Sequence, residues 1–148
     1  MTQSIIVSHN FEAAHRLFQL PGKCENIHGH SFQVGMELFG FVDGDGIVAG
    51  LDFGVVKKAF RGYLDSRYDH HLLLNQDDPF AGEVSYDGET LLTLPGLMVV
   101  EEDPTTENLA RWIGEWARKT FADEFNITGI DICVQETRVN AATWTWVC

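Results

Sequence analysis

The chain has 148 residues, 45% of them hydrophobic, which is the size of one ordinary globular domain with a real core, and a single domain over residues 1–148 is expected. A formal charge of −12 argues against nucleic acid and membrane partners, because polyanions and anionic lipid surfaces require a basic footprint. No run approaches the roughly 20 apolar residues of a membrane span. Met1-Thr2-Gln3-Ser4 lacks the basic and apolar regions of a signal peptide, and Cys24, Cys133 and Cys148 have no disulfide-framework spacing, so a cytoplasmic protein with reduced thiols is expected.

In sequence order, Ser4 to Ala14 opens with the β-branched run Ile5-Ile6-Val7 and predicts a first strand ending near His15. Ser31 to Val42 alternates, with Phe32, Val34, Met36 and Leu38 on one face, and predicts a half-buried second strand. Asp43-Gly44-Asp45-Gly46 starts like a calcium loop, but its twelfth position is Gly54 where a bidentate Glu is needed, so a turn is expected. Asp52 can cap a helix to about Ser66, with Val56, Phe60, Tyr63 and Leu64 at helical spacing. The segment from Gln76 to Asp103 is too long for a tight connection and reads as a functional loop or an insertion with short strands of its own. A second helix is predicted from near Pro104 to about Ala122, its apolar stripe formed by Leu109, Trp112, Ile113, Trp116 and Phe121. Ile130 to Glu136 and Thr143 to Val147 end the sequence as two strands. The predicted order is ββααββ, an α+β fold with two helices on one face of a four-stranded antiparallel sheet.

The chemistry concentrates in His28-Gly29-His30, because extended backbone sets two imidazoles two residues apart on one face. An antiparallel return through Arg16 to Ile27 would bring His15 beside them, giving the three neutral nitrogens of a catalytic zinc with an open fourth position. Cys24 could close that site as a fourth ligand, or serve as an acid or base beside the metal. In Asp69-His70 a carboxylate can orient an imidazole for proton transfer, although a histidine just past a helix also suits the helix dipole. Glu136, taken alone, reads as a strand-end residue paired with Arg138. If the substrate is phosphorylated, Arg16, Lys23, Arg67 and Arg138 are the cations nearest these motifs.

Phe11-Glu12-Ala13-Ala14-His15, Cys24-Glu25-Asn26-Ile27-His28-Gly29-His30, Leu51-Asp52-Phe53, Asp69-His70, Pro104-Thr105-Thr106-Glu107-Asn108-Leu109-Ala110 and Glu136-Thr137 resemble, in order, the motifs of the 6-pyruvoyl-tetrahydropterin synthase and 6-carboxy-5,6,7,8-tetrahydropterin synthase family. The resemblance spans nearly the whole sequence. It implies a tunnelling fold (T-fold) joined edge to edge into an oligomeric β-barrel, commonly a homohexamer with active sites between subunits. It implies His15, His28 and His30 as Zn2+ ligands, Cys24, Asp69 and His70 as the proton-transfer set, and Glu136 as the anchor of the pterin ring, with Thr105 and Thr106 adding hydrogen bonds. The implied substrate is a reduced pterin triphosphate, 7,8-dihydroneopterin triphosphate, and the favoured product is 6-carboxytetrahydropterin with triphosphate and acetaldehyde. The 6-pyruvoyl product is the alternative. Glu25 resembles a further branch that forms 6-hydroxymethyl-7,8-dihydropterin, and His71 competes with His70 if the loop register differs. A pterin-binding zinc protein without turnover and a zinc hydrolase remain the rival classes.

Overall fold

In the computed structural model, which describes residues 2–85, 87–89 and 91–148, a long hairpin organises the molecule. Strand β1 (Thr2–His15) runs antiparallel to β2 (His28–Phe41) in unbroken register, from Thr2 opposite Phe41 to His15 opposite His28. Strand β7 (Ile127–Gln135) pairs antiparallel with the other side of β2, and β8 (Ala141–Val147) with β7. These four strands lie where alternation in the sequence puts them.

The expected four-stranded antiparallel sheet is nevertheless too small. Between the helices, β3 (His71–Asn75) and β6 (Leu97–Val100) join the sheet on the far side of β1, each in parallel pairing, to give six strands in the order β6-β3-β1-β2-β7-β8. The two additions are short and carry little alternation, and their parallel partners lie far away in sequence, so no local pattern announces them. The Gln76–Asp103 segment therefore has structure of its own. It contains a 3-10 turn at Pro79–Ala81, a two-stranded ribbon of β4 (Glu83–Ser85) and β5 (Leu91–Thr93), and then β6, while Tyr86 and Thr90 lie outside the described residues.

Helix α1 (Phe53–Arg67) starts where expected, Asp52 accepting a hydrogen bond from the Val55 N–H at its N-terminus. Helix α2 (Thr106–Ala117) is capped by the Thr105 hydroxyl, which accepts from the Asn108 N–H, and continues through one π-helical turn to Ala122. Both pack on one face of the sheet. Val56, Phe60 and Leu64 of α1 and Leu109, Ala110, Ile113 and Ala117 of α2 meet Phe11, Phe32, Val34, Met36, Ile130 and Ile132 in a single core. Full burial of a large apolar residue stabilises the fold by roughly 1.5–3 kcal/mol. Gly114 lets α2 sit this close, since a Cβ there would stand 2.1 Å from the Trp144 ring. At the other end of the sheet, Asp43 accepts from the N–H groups of Asp45 and Ile47, so the acidic loop is the expected turn. No helix is long and apolar enough to cross a membrane among the described residues.

Candidate active site

Continued toward one end of the sheet, the inward series of three strands turn polar. On β1 the series Phe11, Ala13 ends in His15; on β2 the series Leu38, Met36, Val34, Phe32 runs back into His30 and His28; on β7 the series Ile130, Ile132, Val134 extends one residue past the strand to Glu136. Period-2 geometry thus places all four on the face that elsewhere carries the apolar core. His15 and His28 are also directly opposed across the hairpin.

The four residues converge, each offering a ligand atom within 4.8 Å of the others. His15 Nε2 lies 3.0 Å from His28 Nε2 and 3.4 Å from a Glu136 oxygen, and His30 Nε2 lies 2.9 Å from the same oxygen. Their tautomers follow from their other nitrogens. His15 Nδ1 donates to the Pro104 carbonyl at 2.8 Å, and His28 Nδ1 donates to the Asn26 carbonyl at 2.8 Å. In their neutral forms both rings then present unprotonated Nε2 atoms to one another, two lone pairs with no proton between them. His30 Nε2 is buried and has no well-directed hydrogen bond among the described residues. Burial holds the His15 and His30 pKa values below the ordinary histidine range, against the opposing pull of the Pro104 carbonyl on the first and Glu136 on the second. A donor set of three imidazoles, two of them aimed by backbone carbonyls and left with facing lone pairs when neutral, fits a cation.

Cys24 stands outside this group, so the closed Cys-His₃ arrangement that the sequence left open is not formed. It sits in a 3-10 turn, Lys23–Glu25, and lines a cavity of about 500 Å³ with Leu17, Thr105, Thr106 and Glu136. Glu136 is shared by the cavity and the histidine cluster, and the surface pair with Arg138 does not occur among the described ion pairs. Extending the alternation of β7 by one residue would have found that shared face from sequence.

Asp69 and His70 lie elsewhere. The Asp69 carboxylate accepts from the Glu12 N–H at 2.8 Å and from His70 Nδ1 at 2.7 Å, and the Glu12 N–H bond is the main reason its pKa falls below the usual range. The His70 N–H donates to the Glu12 carbonyl, and its backbone is left-handed, with φ 59°, a conformation few non-glycine residues adopt. His71 Nδ1 bonds the Asp69 carbonyl instead, so the ring aligned by the carboxylate is that of His70. Both histidines border a cleft of about 550 Å³ with Glu12, Gly29, His30 and Ser31. Cys24 does not line that cleft and His70 does not line the Cys24 cavity, while the histidine cluster adjoins both, through His30 in the cleft and Glu136 in the cavity.

Comparison with known proteins agrees with this architecture. The protein is 30% identical over 128 residues to the 6-carboxy-5,6,7,8-tetrahydropterin synthase of Rickettsia typhi, an alignment spanning 83% of this sequence and 87% of that one. Among solved structures, the Plasmodium vivax 6-pyruvoyltetrahydropterin synthase superposes with a TM-score of 0.76 at 19% identity, over 100% of this protein and 99% of that one. The Caenorhabditis elegans 6-pyruvoyl tetrahydropterin synthase superposes with a TM-score of 0.66 at 24% identity, over 99% and 96%. These structures show the same fold. The 6-pyruvoyl tetrahydropterin synthase family model matches residues 4–145, and the protein therefore belongs to that family of pterin synthases.

Proposed function

We propose that the protein is a zinc-dependent lyase converting 7,8-dihydroneopterin triphosphate and one water to 6-carboxy-5,6,7,8-tetrahydropterin with release of triphosphate and acetaldehyde. The observation that carries this reading is the position of Glu136, which belongs both to the His15, His28, His30 cluster and to the wall of the cavity that holds Cys24, Thr105 and Thr106. One cavity can then hold a pterin ring against the carboxylate with its side chain toward the histidines. The carboxy product is favoured over the 6-pyruvoyl product by the name of the Rickettsia typhi relative. The structures named for the pyruvoyl activity are under 25% identical and speak for the fold alone.

In this reading His15, His28 and His30 hold the zinc, which when bound supplies Lewis-acid stabilisation of the charge that develops on the substrate hydroxyls. Glu136 binds the ring by accepting from a ring N–H and from the exocyclic amine, a paired recognition suited to a carboxylate. Thr105 spends its oxygen lone pair on the α2 cap and keeps its O–H to donate, so it orients the ring without losing the cap. Cys24 takes a proton from a carbon of the pterin's substituent, and His70, aligned by Asp69, exchanges protons with the hydroxyls.

Cys24 and His70 line different cavities of one subunit, and in this reading a second copy brings one to the other. We assign this to a homo-oligomer, a hexamer in the family pattern, built by closing the open edges of β6 and β8 into a barrel. Sedimentation at micromolar concentration is expected to show a multiple of three subunits, and a monomer that turns over at full rate would overturn the shared site. The deciding test is anaerobic incubation with 7,8-dihydroneopterin triphosphate and identification of every product by mass. Triphosphate, acetaldehyde and 6-carboxytetrahydropterin are expected. A pyruvoyl product without acetaldehyde would select the alternative activity, and simple loss of phosphate would make the protein a hydrolase.

A further inference from the structure

The loop from Arg16 to Ile27 carries Cys24 between the two strands that carry the histidines, and it has little core of its own beyond Leu17, which is buried. Two bonds flank the cysteine. The Leu17 N–H donates to the Cys24 carbonyl at 2.9 Å, and Arg16 Nε donates to the Glu25 carbonyl at 2.7 Å. Arg16 is itself held. One terminal nitrogen donates to Asp78 Oδ1 at 3.0 Å, and the guanidinium lies 4.3 Å from the centroid of the Phe80 ring.

Phe80 belongs to the 3-10 turn near the start of the long Gln76–Asp103 segment, whose role the sequence left open, and Asp78 caps that turn. Asp78 is a fixed seat. Its side chain is fully buried, its Oδ1 also accepts from the Phe80 N–H at 2.9 Å, and its Oδ2 has no partner among the described residues. Arg16 is the cation that meets this buried carboxylate. The far end of the same segment reaches the same loop, because Asp103 accepts from the Gln19 N–H at 3.3 Å and from the Asn75 amide at 2.9 Å. Asp103 precedes Pro104, whose carbonyl aims His15.

We propose that Arg16 is a positioning residue for the Cys24 turn, and that the two ends of the Gln76–Asp103 segment form the frame that fixes it relative to the histidine cluster. The inference rests on the assignment of Cys24 to proton transfer made above. A planar, multidentate guanidinium is what the position requires: one face lies against Phe80, one edge reaches Asp78, and Nε remains for the Glu25 carbonyl. Lysine could satisfy the charge of Asp78, but its single ammonium has no second rigid edge for the loop.

The test uses the zinc-loaded full-length protein with Arg16→Lys and Asp78→Asn, and the first readout is the rate at which a neutral alkylating reagent modifies Cys24. Cys133→Ser and Cys148→Ser in the same background make Cys24 the sole target. Both variants are expected to keep their zinc and their KM, to change the alkylation rate several-fold, and to lose up to about 10²-fold in kcat, the scale on which displacement of a reacting group by an ångström is felt. Equal alkylation rates and equal kcat in Arg16→Lys and the parent, whatever happens to the thermal midpoint, would overturn the proposal and leave Arg16 a stabilising contact. Cys24→Ala separates the two readings. If it retains full turnover, the role of Cys24 fails, while the alkylation rates still decide whether Arg16 positions the turn. If Asp78→Asn does not fold, Arg16→Lys alone decides, since it preserves the charge opposite Asp78.

Discussion

Two regions meet in the proposed site and are built differently. The histidine cluster stands on the ends of paired strands, with His15 and His28 opposed in the hairpin and Nδ1 atoms tied to the Pro104 and Asn26 carbonyls. The groups proposed for proton transfer stand on connections, Cys24 in a 3-10 turn and His70 in a left-handed backbone position just before β3. The first region is complete within one subunit; the second is divided between two cavities. A metal-binding site requires several ligands at fixed mutual distance, which a sheet supplies through its register. Groups that move protons need only reach the substrate, and loops brought together by assembly suffice.

Breaking the strand-borne half should have the largest effect. His28→Ala or His30→Ala is expected to reduce zinc from about one per subunit to near none and to abolish turnover, because each removes a ligand from a three-histidine set. Metal analysis after dialysis reads the result. Retention of a full zinc complement in either variant would mean that Glu136 completes a different ligand set.

The loop-borne half should fail differently. Cys24→Ala is expected to keep zinc and to bind pterin as before, yet to lose roughly 10²-fold or more in kcat, the usual scale for a general acid or base. Single-turnover kinetics with the triphosphate substrate checks it. Unchanged turnover in Cys24→Ala with activity lost in Glu25→Gln would move the role one residue along the same turn.

Glu136 tests the boundary between the halves. Glu136→Gln is expected to raise KM by roughly tenfold or more, since an amide sets its own N–H against a ring donor and leaves that donor unpaired at about 1–3 kcal/mol. Zinc content is the second readout. Loss of metal and turnover with pterin binding itself little changed would make Glu136 a ligand rather than an anchor, an outcome consistent with its 2.9 Å approach to His30 Nε2.

The same division decides what the sequence reveals. Alternation exposes β1, β2, β7 and β8, and helical spacing exposes both helices, because each pattern is local. His15 is predictable from the hairpin return, and Glu136 from continuing 130, 132, 134 by one step. The parallel strands β3 and β6 are short and join the sheet only through crossovers, so they are invisible locally. Arg16 and Asp78 are 62 residues apart and share no pattern at all, yet they sit in one ion pair. The split between Cys24 and His70 is likewise a property of the tertiary arrangement. The resemblance to the pterin synthases supplied their roles, not their separation.

Acid should weaken the strand-borne half before the rest. The His15 and His30 pKa values are lowered by burial in the folded protein, so their neutral forms stabilise it above the unfolded value of about 6.5, and that contribution is lost as pH falls through the lower folded values. Zinc held at the proposed site would compete with protons for the same lone pairs, so acid would weaken its binding as well. Thermal midpoints of the chelated protein are expected to fall as pH drops below about 6.5, and the added stability conferred by zinc to shrink in the same direction. A midpoint that stays flat as pH drops would mean that the cluster stays protonated and paired with Glu136 when no metal is present.

The smallest effect belongs to the Asp69 tether. Its carboxylate pKa is lowered chiefly by the Glu12 N–H and then by the His70 ring, so its contribution is fully present above the unfolded value of about 3.9 and disappears as pH falls through the lower folded value. The side chain is 29% exposed, and solvent screening keeps such a contact within the range of about 0–1 kcal/mol. Asp69→Asn is therefore expected to lower the thermal midpoint at pH 7 by no more than about 4 °C. The gap between the two proteins should begin to close as pH falls below about 3.9, because the wild-type carboxylate then starts to lose the charge that Asn never had. Its effect on rate should exceed its effect on stability, since the amide no longer favours one orientation and tautomer of the His70 ring. A gap in midpoint that persists unchanged at low pH would show that Asp69 anchors the loop through shape and the Glu12 N–H alone, and that the charge is not what aligns His70.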